Sequence, residues 1–557
     1  VVALLDLPDF YKTVHDITLD LIKTPSIVAT QGEGRIALKI MNILKASPYF
    51  QKHPDNLWLV DVPGGPWPKY TVMALVEGEK NRSSQTVVLL GHIDTVRVED
   101  FGTLKYYAFN PKGLVRHFSS LNIGGDVKED LDSGKYMFGR GSVDMKSGVA
   151  AHMAVLMYLS EIAEGFSGNV LLAATPDEED MSSGAIAALD ELFRLKKERG
   201  FEYIALINAD YTSPLYPGDD HRYVYLGTVG KLLPSFFIAG RETHVGQCFE
   251  GFDPNLLAAE LTRLFDMNTD LCDEVEGEVT LPPVSLKQRD LKELYDVQIP
   301  FAAQCYYNFF THSRSPEDIM KLCKEIARKA FVNVITTMEQ KRRHYYDKAN
   351  MPYHPVPYEP LVYSYHEFYQ KVISKHPELI SNLETLNENL LQDPNIDLRE
   401  HSLRVVEEVW KQSEEFNNRI PLIIVYFSSA FNARVHIKGE KPSEVRLMDA
   451  VKKTVGEITQ KTSENISIRK FFPYISDMSI FGISDTPEEI EVLKCNMPAW
   501  GKKYFLDTEK IRAINIPMVN IGPYGKDAHK MFERVEMNYS FRIVPQLIFM
   551  CISNLLL

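Results

Sequence analysis

Apolar residues recur at helical spacing at the start of the chain, as Tyr11, Val14, Ile17 and Leu21 and then Ile36, Ile40 and Ile43, with Thr24-Pro25-Ser26 between them. That period predicts two amphipathic helices joined by a turn. Two short β-rich runs follow at 70–77 and 86–90. The second ends in Gly91-His92-Ile93-Asp94, which puts an imidazole and a carboxylate at the C-terminal end of a buried strand. Ligands of open α/β sheets sit at that end. Residues 98–136 are polar and broken by Pro, Gly and Asp, and read as an irregular insertion. The small-residue run GVAAHMAVLMYL after Ser147 predicts a helix packed closely on a sheet. Strands are expected at 169–174 and 203–208, the latter running into Asp210. This βαβ rhythm predicts an α/β domain.

Beyond Gly230 the rhythm changes to a strand at 232–239, a helix at 255–267, a strand-like run at 297–310 and a helix at 315–341. The last opens with Ser315-Pro316-Glu317-Asp318, an N-cap with Pro at the first helical position. Residues 346–418 are rich in Tyr, Pro, Asn and Glu, have helical segments, and carry no chemistry that the pattern exposes. A strand at 422–427, a helix at 443–462 and a strand at 518–521 then restore the α/β pattern. At 557 residues the chain is too long for one hydrophobic core. The expected division is a catalytic domain at 1–230, an α+β segment at 231–345, an extra mostly helical insertion at 346–418, and the rest of the catalytic domain at 419–557.

Composition narrows the field. The formal charge of −14 argues against a surface that tracks phosphates, so nucleic acid is not an expected partner. The six cysteines, at 248, 272, 305, 323, 495 and 551, form no C-x-x-C pair and read as reduced, mostly buried thiols. The apolar opening, Val1 to Leu7, soon meets Asp6 and Asp9, with no basic leader and no apolar run long enough to span a bilayer. A cytoplasmic protein with no membrane partner is the expectation.

His92 and Asp94, Asp144, Glu178 and Glu179, Asp210 and His529 all fall at or near expected strand ends or in Gly-rich turns. Singly, each reads as ordinary turn chemistry or a hydrogen-bonded histidine. Jointly they supply what a two-metal site needs, a shared carboxylate and further oxygen or imidazole ligands for each ion.

The strings LLGHIDTV at 89–96, GRGSVDMKSG at 139–148, TPDEED at 175–180 and IGPYGKDAH at 521–529 resemble, in order, the motifs of the M20 metallopeptidase family of zinc-dependent aminoacylases, carboxypeptidases and di- and tripeptidases. The length, the insertion after His-x-Asp and the long middle segment resemble its arginine-utilisation (Roc-type) branch. The resemblance implies a zinc-exopeptidase-like three-layer α/β/α catalytic domain interrupted by a ferredoxin-like lid at about 231–345. It implies two Zn2+ held by His92, Asp144, Glu179, Asp210 and His529, with Asp144 shared, although Co2+ or Mn2+ suits the same donors. By the same resemblance Asp94 orients His92, Glu178 is the general base, and the glycines 91, 139 and 141 let backbone crowd the site. His244, within Gly240-Arg241-Glu242-Thr243-His244, matches a lid histidine that stabilises the oxyanion in the partner subunit, which implies a homodimer. The alternative for His244 is a strand-end residue with a local hydrogen bond.

Departures from the pattern bear on substrate. The spacing from His92 to Asp144 is long for the family. The strand at Cys305-Tyr306-Tyr307-Asn308-Phe309 lacks the arginine that clamps a substrate carboxylate, and Arg314 reads as an exposed helix-start residue rather than its replacement. The expected function is hydrolysis of an amide bond in a small peptide or N-acyl amino acid. The alternatives are a small-molecule-binding homologue that keeps fold and metal without turnover, and a scaffold that assembles through the middle segment.

Overall fold

The computed structural model describes residues 7–428 and 430–556. The opening hexapeptide of the apolar start lies outside them. The chain divides into two compact units, one of residues 1–228, 435–483 and 507–557, the other of residues 229–434 and 484–506.

The first unit is built on an eight-stranded mixed sheet in the order Leu57–Val62, Lys69–Glu77, Asn169–Thr175, Gln85–His92, Glu202–Asn208, Met518–Asn520, Arg222–Leu226, Ile466–Arg469. Asn169–Thr175, Gln85–His92, Glu202–Asn208 and Met518–Asn520 run parallel, so their C-terminal ends share one edge of the sheet. These central strands are near-continuous apolar runs, as expected when both faces are covered. Helix Lys146–Glu161 packs on Gln85–His92 and Asn169–Thr175, and Ser183–Arg199 packs on the neighbouring antiparallel strands. Gly148 lets the start of the first helix crowd the end of Glu202–Asn208, because a Cβ there would lie 2.0 Å from the Ala209 carbonyl oxygen. Helix Tyr539–Leu556 is long and apolar enough to cross a membrane, but 78% of that window is buried, against Lys146–Glu161 and Pro442–Thr462 among others.

The expected irregular insertion at 98–136 is instead ordered. It holds a 3-10 segment, Glu99–Tyr107, helices Pro111–Phe118 and Gly125–Ser133, and a core of Phe101, Ala108, Leu114, Phe118, Leu131 and Phe138. Its helices are too short for their periodicity to stand out among glycines and acids.

The second unit carries a sheet in the order Val284–Asp290, Ala302–Thr311, Pro234–Ala239, Leu422–Phe427, Leu361–Ser364, with Gly230–Leu232 on the far end of Ala302–Thr311. Leu422–Phe427, which the pattern assigns to the returning α/β domain, therefore belongs to this sheet, paired antiparallel with Pro234–Ala239. A short apolar run does not reveal which of two sheets will bury it. Every residue of Pro234–Ala239 is buried. Alternation explains it: Phe236 meets Phe265 of helix Pro254–Phe265 on one face, and Phe237 meets Trp410 of helix Leu398–Lys411 on the other. The helices of the middle segment thus bury the second face, in a core with Phe368, Leu379, Leu403, Val406 and Ile424.

Candidate active site

All the motif residues of the first unit converge at the common edge of its parallel strands, apart from His529, which arrives on a hairpin. His92 closes Gln85–His92. Its Nε2 lies 2.9 Å from Asp144 Oδ1, and its Nδ1 faces Asp94 Oδ1 at 3.7 Å, beyond hydrogen-bond reach. Asp144 sits in the loop before helix Lys146–Glu161, entered through Gly141 at φ +77°, where a Cβ would lie 2.8 Å from Thr95 Cγ2. Asp144 is shared: its other oxygen, Oδ2, is 3.0 Å from His529 Nε2, which is also 3.1 Å from Glu179 Oε1. Ligating atoms of His92, Asp144 and Glu179 lie within 4.8 Å of one another and could hold a metal ion.

Glu178 and Glu179 ride a tight turn after Asn169–Thr175. Asp177, at φ +73°, reverses the chain there and is tied by an ion pair to Lys69 at 2.9 Å. Asp94, fully buried, accepts the Glu178 N–H at 3.2 Å on one oxygen and the Glu179 N–H at 3.1 Å on the other, so one carboxylate sets the angle of both neighbours. Glu178 Oε2 stands 4.0 Å from His92 Nε2. Asp210 follows Glu202–Asn208. Its N–H donates to Asn520 Oδ1 at 2.9 Å, while its own Oδ1 accepts the Tyr211 N–H at 2.8 Å. It lies outside the tight group of three.

The electrostatics are those of crowded, buried anions. Burial raises the Glu178 carboxyl well above its ordinary range; His92 opposes this, and Glu179, Asp477 and Asp210 add to it. Burial and then Asp144 push Asp210 up to about 8 and raise Glu179. Burial works against a charged His92, but Asp144 and Asp94 outweigh it and lift the imidazole well above its usual value. His529 is likewise lifted to about 11 by Asp144 and Glu179 against the cost of burial. Asp144, pushed up by burial, is nonetheless held low by those two rings.

His244 belongs to the second unit. It is exposed, and its Nδ1 accepts the Gly246 N–H at 3.1 Å. Arg314 donates to the Leu271 carbonyl.

Two acids beside the cluster escape sequence reasoning. Asp477, buried in the 3-10 turn Asp477–Ile480, accepts the Thr175 hydroxyl at 2.9 Å across a separation of 302 residues. Burial pushes it up to about 6. No periodicity or motif marks it. Glu533, also buried, accepts the backbone N–H groups of Val143 and Asp144 at 3.3 and 3.4 Å and pairs with Arg140 at 2.7 Å. The signal available for Glu533 was an acid just past the fourth motif, followed by an arginine.

Carboxylates and imidazoles gathered at the strand ends of a three-layer α/β unit define an enzyme of the metallopeptidase and amidohydrolase class. The family model for peptidase family M20/M25/M40 matches residues 88–513, and the chain belongs to that family. It is 36% identical to Protein RocB of Bacillus subtilis (strain 168) over 541 residues, 96% of this chain and 94% of that one, which supports the Roc-type branch. It is 33% identical to the uncharacterized protein YqjN of the same organism, over 96% of this chain and 95% of that one. In fold it is similar to the M20 family metallo-carboxypeptidase Sso-CP2 from Sulfolobus solfataricus, with a TM-score of 0.51 at 11% identity, covering 97% of this chain and 98% of that one.

Proposed function

We propose that this chain is a two-zinc hydrolase that cleaves an amide bond in a small peptide or N-acyl amino acid and serves arginine catabolism. One observation carries the reading: Glu178, a largely buried carboxyl 4.0 Å from the His92 ring, stands beside an imidazole–carboxylate cluster that shares Asp144 between two histidines. The arginine link rests on the end-to-end likeness to Protein RocB.

The donors fit zinc. Bonds of about 2.0–2.2 Å to nitrogen and oxygen put neighbouring ligands about 3.3 Å apart around a tetrahedral ion. The contacts among His92, Asp144, His529 and Glu179 run from 2.9 to 3.1 Å. The raised carboxyls of Glu179 and Asp210 are also what a site short of positive charge shows. His92, Asp144 and Asp210 would hold one ion, and His529, Asp144 and Glu179 the other, with cobalt or manganese suiting the same donors. When bound, such a pair makes water acidic enough to ionise near neutral pH and polarises the amide carbonyl.

Glu178 takes the proton from water on its carboxylate and returns it to the leaving amine. Asp94 keeps Glu178 and Glu179 at their different angles through the two N–H groups it accepts, and keeps a negative charge behind the His92 ring. His244, on the surface of the second unit, is the oxyanion donor that a second copy would lend in a cytoplasmic homodimer.

The test is hydrolysis of a panel of dipeptides and acylated amino acids, arginine compounds included, with and without a chelator. Chelator-sensitive cleavage is expected. Glu178→Gln should keep its zinc and lose about 10²–10⁴-fold in kcat. Near-native turnover in that variant removes Glu178 from the role of base, and bound zinc with no cleavage of any compound favours a small-molecule-binding protein instead.

A further inference from the structure

His529 is the most exposed of the candidate ligands, with 49% of its side chain open, and its backbone lies in the left-handed region at φ +64°, as does that of Asp527 at φ +57°. Such a conformation persists in a non-glycine residue only where its surroundings impose it. The loop 527–533 runs between strands Gly525–Lys526 and Arg534–Glu536, and the latter pairs with Tyr136–Phe138 at the close of the 98–136 insertion.

Three further ties join this loop to the insertion. Arg534 is fully buried and donates to Asp130 at 2.7 Å and to Asp126 at 2.8 Å, both on helix Gly125–Ser133, as well as to Asp527. Lys526 adds a second cation to Asp130 at 2.8 Å. Phe532 packs its ring on Phe118 at 5.1 Å, and Met531 joins it against the insertion's apolar core. The third tie runs inward. Arg140 donates both guanidinium arms, one bidentate to Asp100 at 2.8 Å and the other to Glu533, whose carboxylate accepts the Asp144 N–H.

We infer that the 98–136 insertion is a strap that positions His529, a ligand of the second metal subsite alone, with Arg534 and Arg140 as its positioning residues. This rests on the two-metal reading above. A guanidinium fork can hold several carboxylates in fixed directions, which a point charge cannot. Deleting its partners frees the hairpin while leaving His92 and Asp210, on their own strands, where they are.

The experiment uses the full chain with Asp126→Asn/Asp130→Asn, and Phe532→Leu as a second, independent variant. Zinc is titrated into metal-free protein against a chromophoric chelator, and metal-free protein is separately exposed to trypsin, with cleavage at Lys530 followed by mass. The expected result is that one zinc equivalent weakens about tenfold or more while the other stays within about twofold, and that Lys530 is cut faster. Arg534→Lys should shift the same equivalent less than the double variant does. Unchanged affinity for both ions, equal weakening of both in a folded protein, or unaltered cleavage at Lys530 overturns the strap. Wild-type protein that takes up no zinc overturns the metal reading itself, and that outcome is visible before any variant is made.

Discussion

The two long insertions of this chain are both ordered, yet they are held by different forces. Residues 98–136 build a small core of their own and send three acidic side chains, Asp100, Asp126 and Asp130, to two buried arginines beside the candidate site, one of which also pairs with Asp527 of the neighbouring hairpin. Among the described residues, 346–418 send no charged group to any motif residue. They lay helices Tyr365–Ile373, Leu379–Gln392 and Leu398–Lys411 over the free face of the second sheet, in a core that contains Trp410 and Phe237. One insertion therefore bears on the chemistry through directional, charge-assisted contacts, and the other on stability through apolar burial.

The largest effect that separates them is on stability. Trp410→Ala removes a buried ring that meets Phe237, Phe301 and Phe416, and should cost about 3–5 kcal/mol. Denaturant unfolding measures that loss, and zinc titration of the folded variant should be unchanged. A weakened zinc affinity would break the division of labour. A smaller effect concerns pH. His401 in the same helix is buried with neither ring nitrogen hydrogen-bonded, and burial, then Lys503, pushes it down to about 4. The unfolded imidazole takes a proton near pH 6.5 while the folded one does not, so the contribution is whole above 6.5 and is lost as pH falls toward 4, at up to about 1.4 kcal/mol per pH unit. His401→Leu should flatten the acid side of the stability curve over that window. An unchanged slope would mean that His401 finds a partner when charged.

Much of this was legible from residue order. The strands ending at His92, Asp144's Gly-rich approach and the Glu178-Glu179 turn follow from local pattern, because βαβ units place their loops on one edge whatever the rest of the chain does. The helices of 98–136 were not legible, since eight or nine residues span barely two turns and leave no clear period. The pattern marks Leu422–Phe427 as a strand but not its sheet, because membership in a sheet is decided by partners far away in the chain. Asp477 is invisible for the same reason, since what makes it matter is contact with Thr175, hundreds of positions away, and a lone acid carries no signature; Glu533 has only its place just past the fourth motif to mark it, and its contact with Asp144 is equally distant in the chain.

The claim on which the rest depends is that His92, Asp144, Glu179, Asp210 and His529 enclose two metal ions. Anomalous diffraction at the zinc edge from crystals grown with zinc tests it most directly. Two peaks are expected, one bounded by His92, Asp144 and Asp210 and the other by Asp144, Glu179 and His529. Full zinc content with no peak inside that cluster would contradict the account.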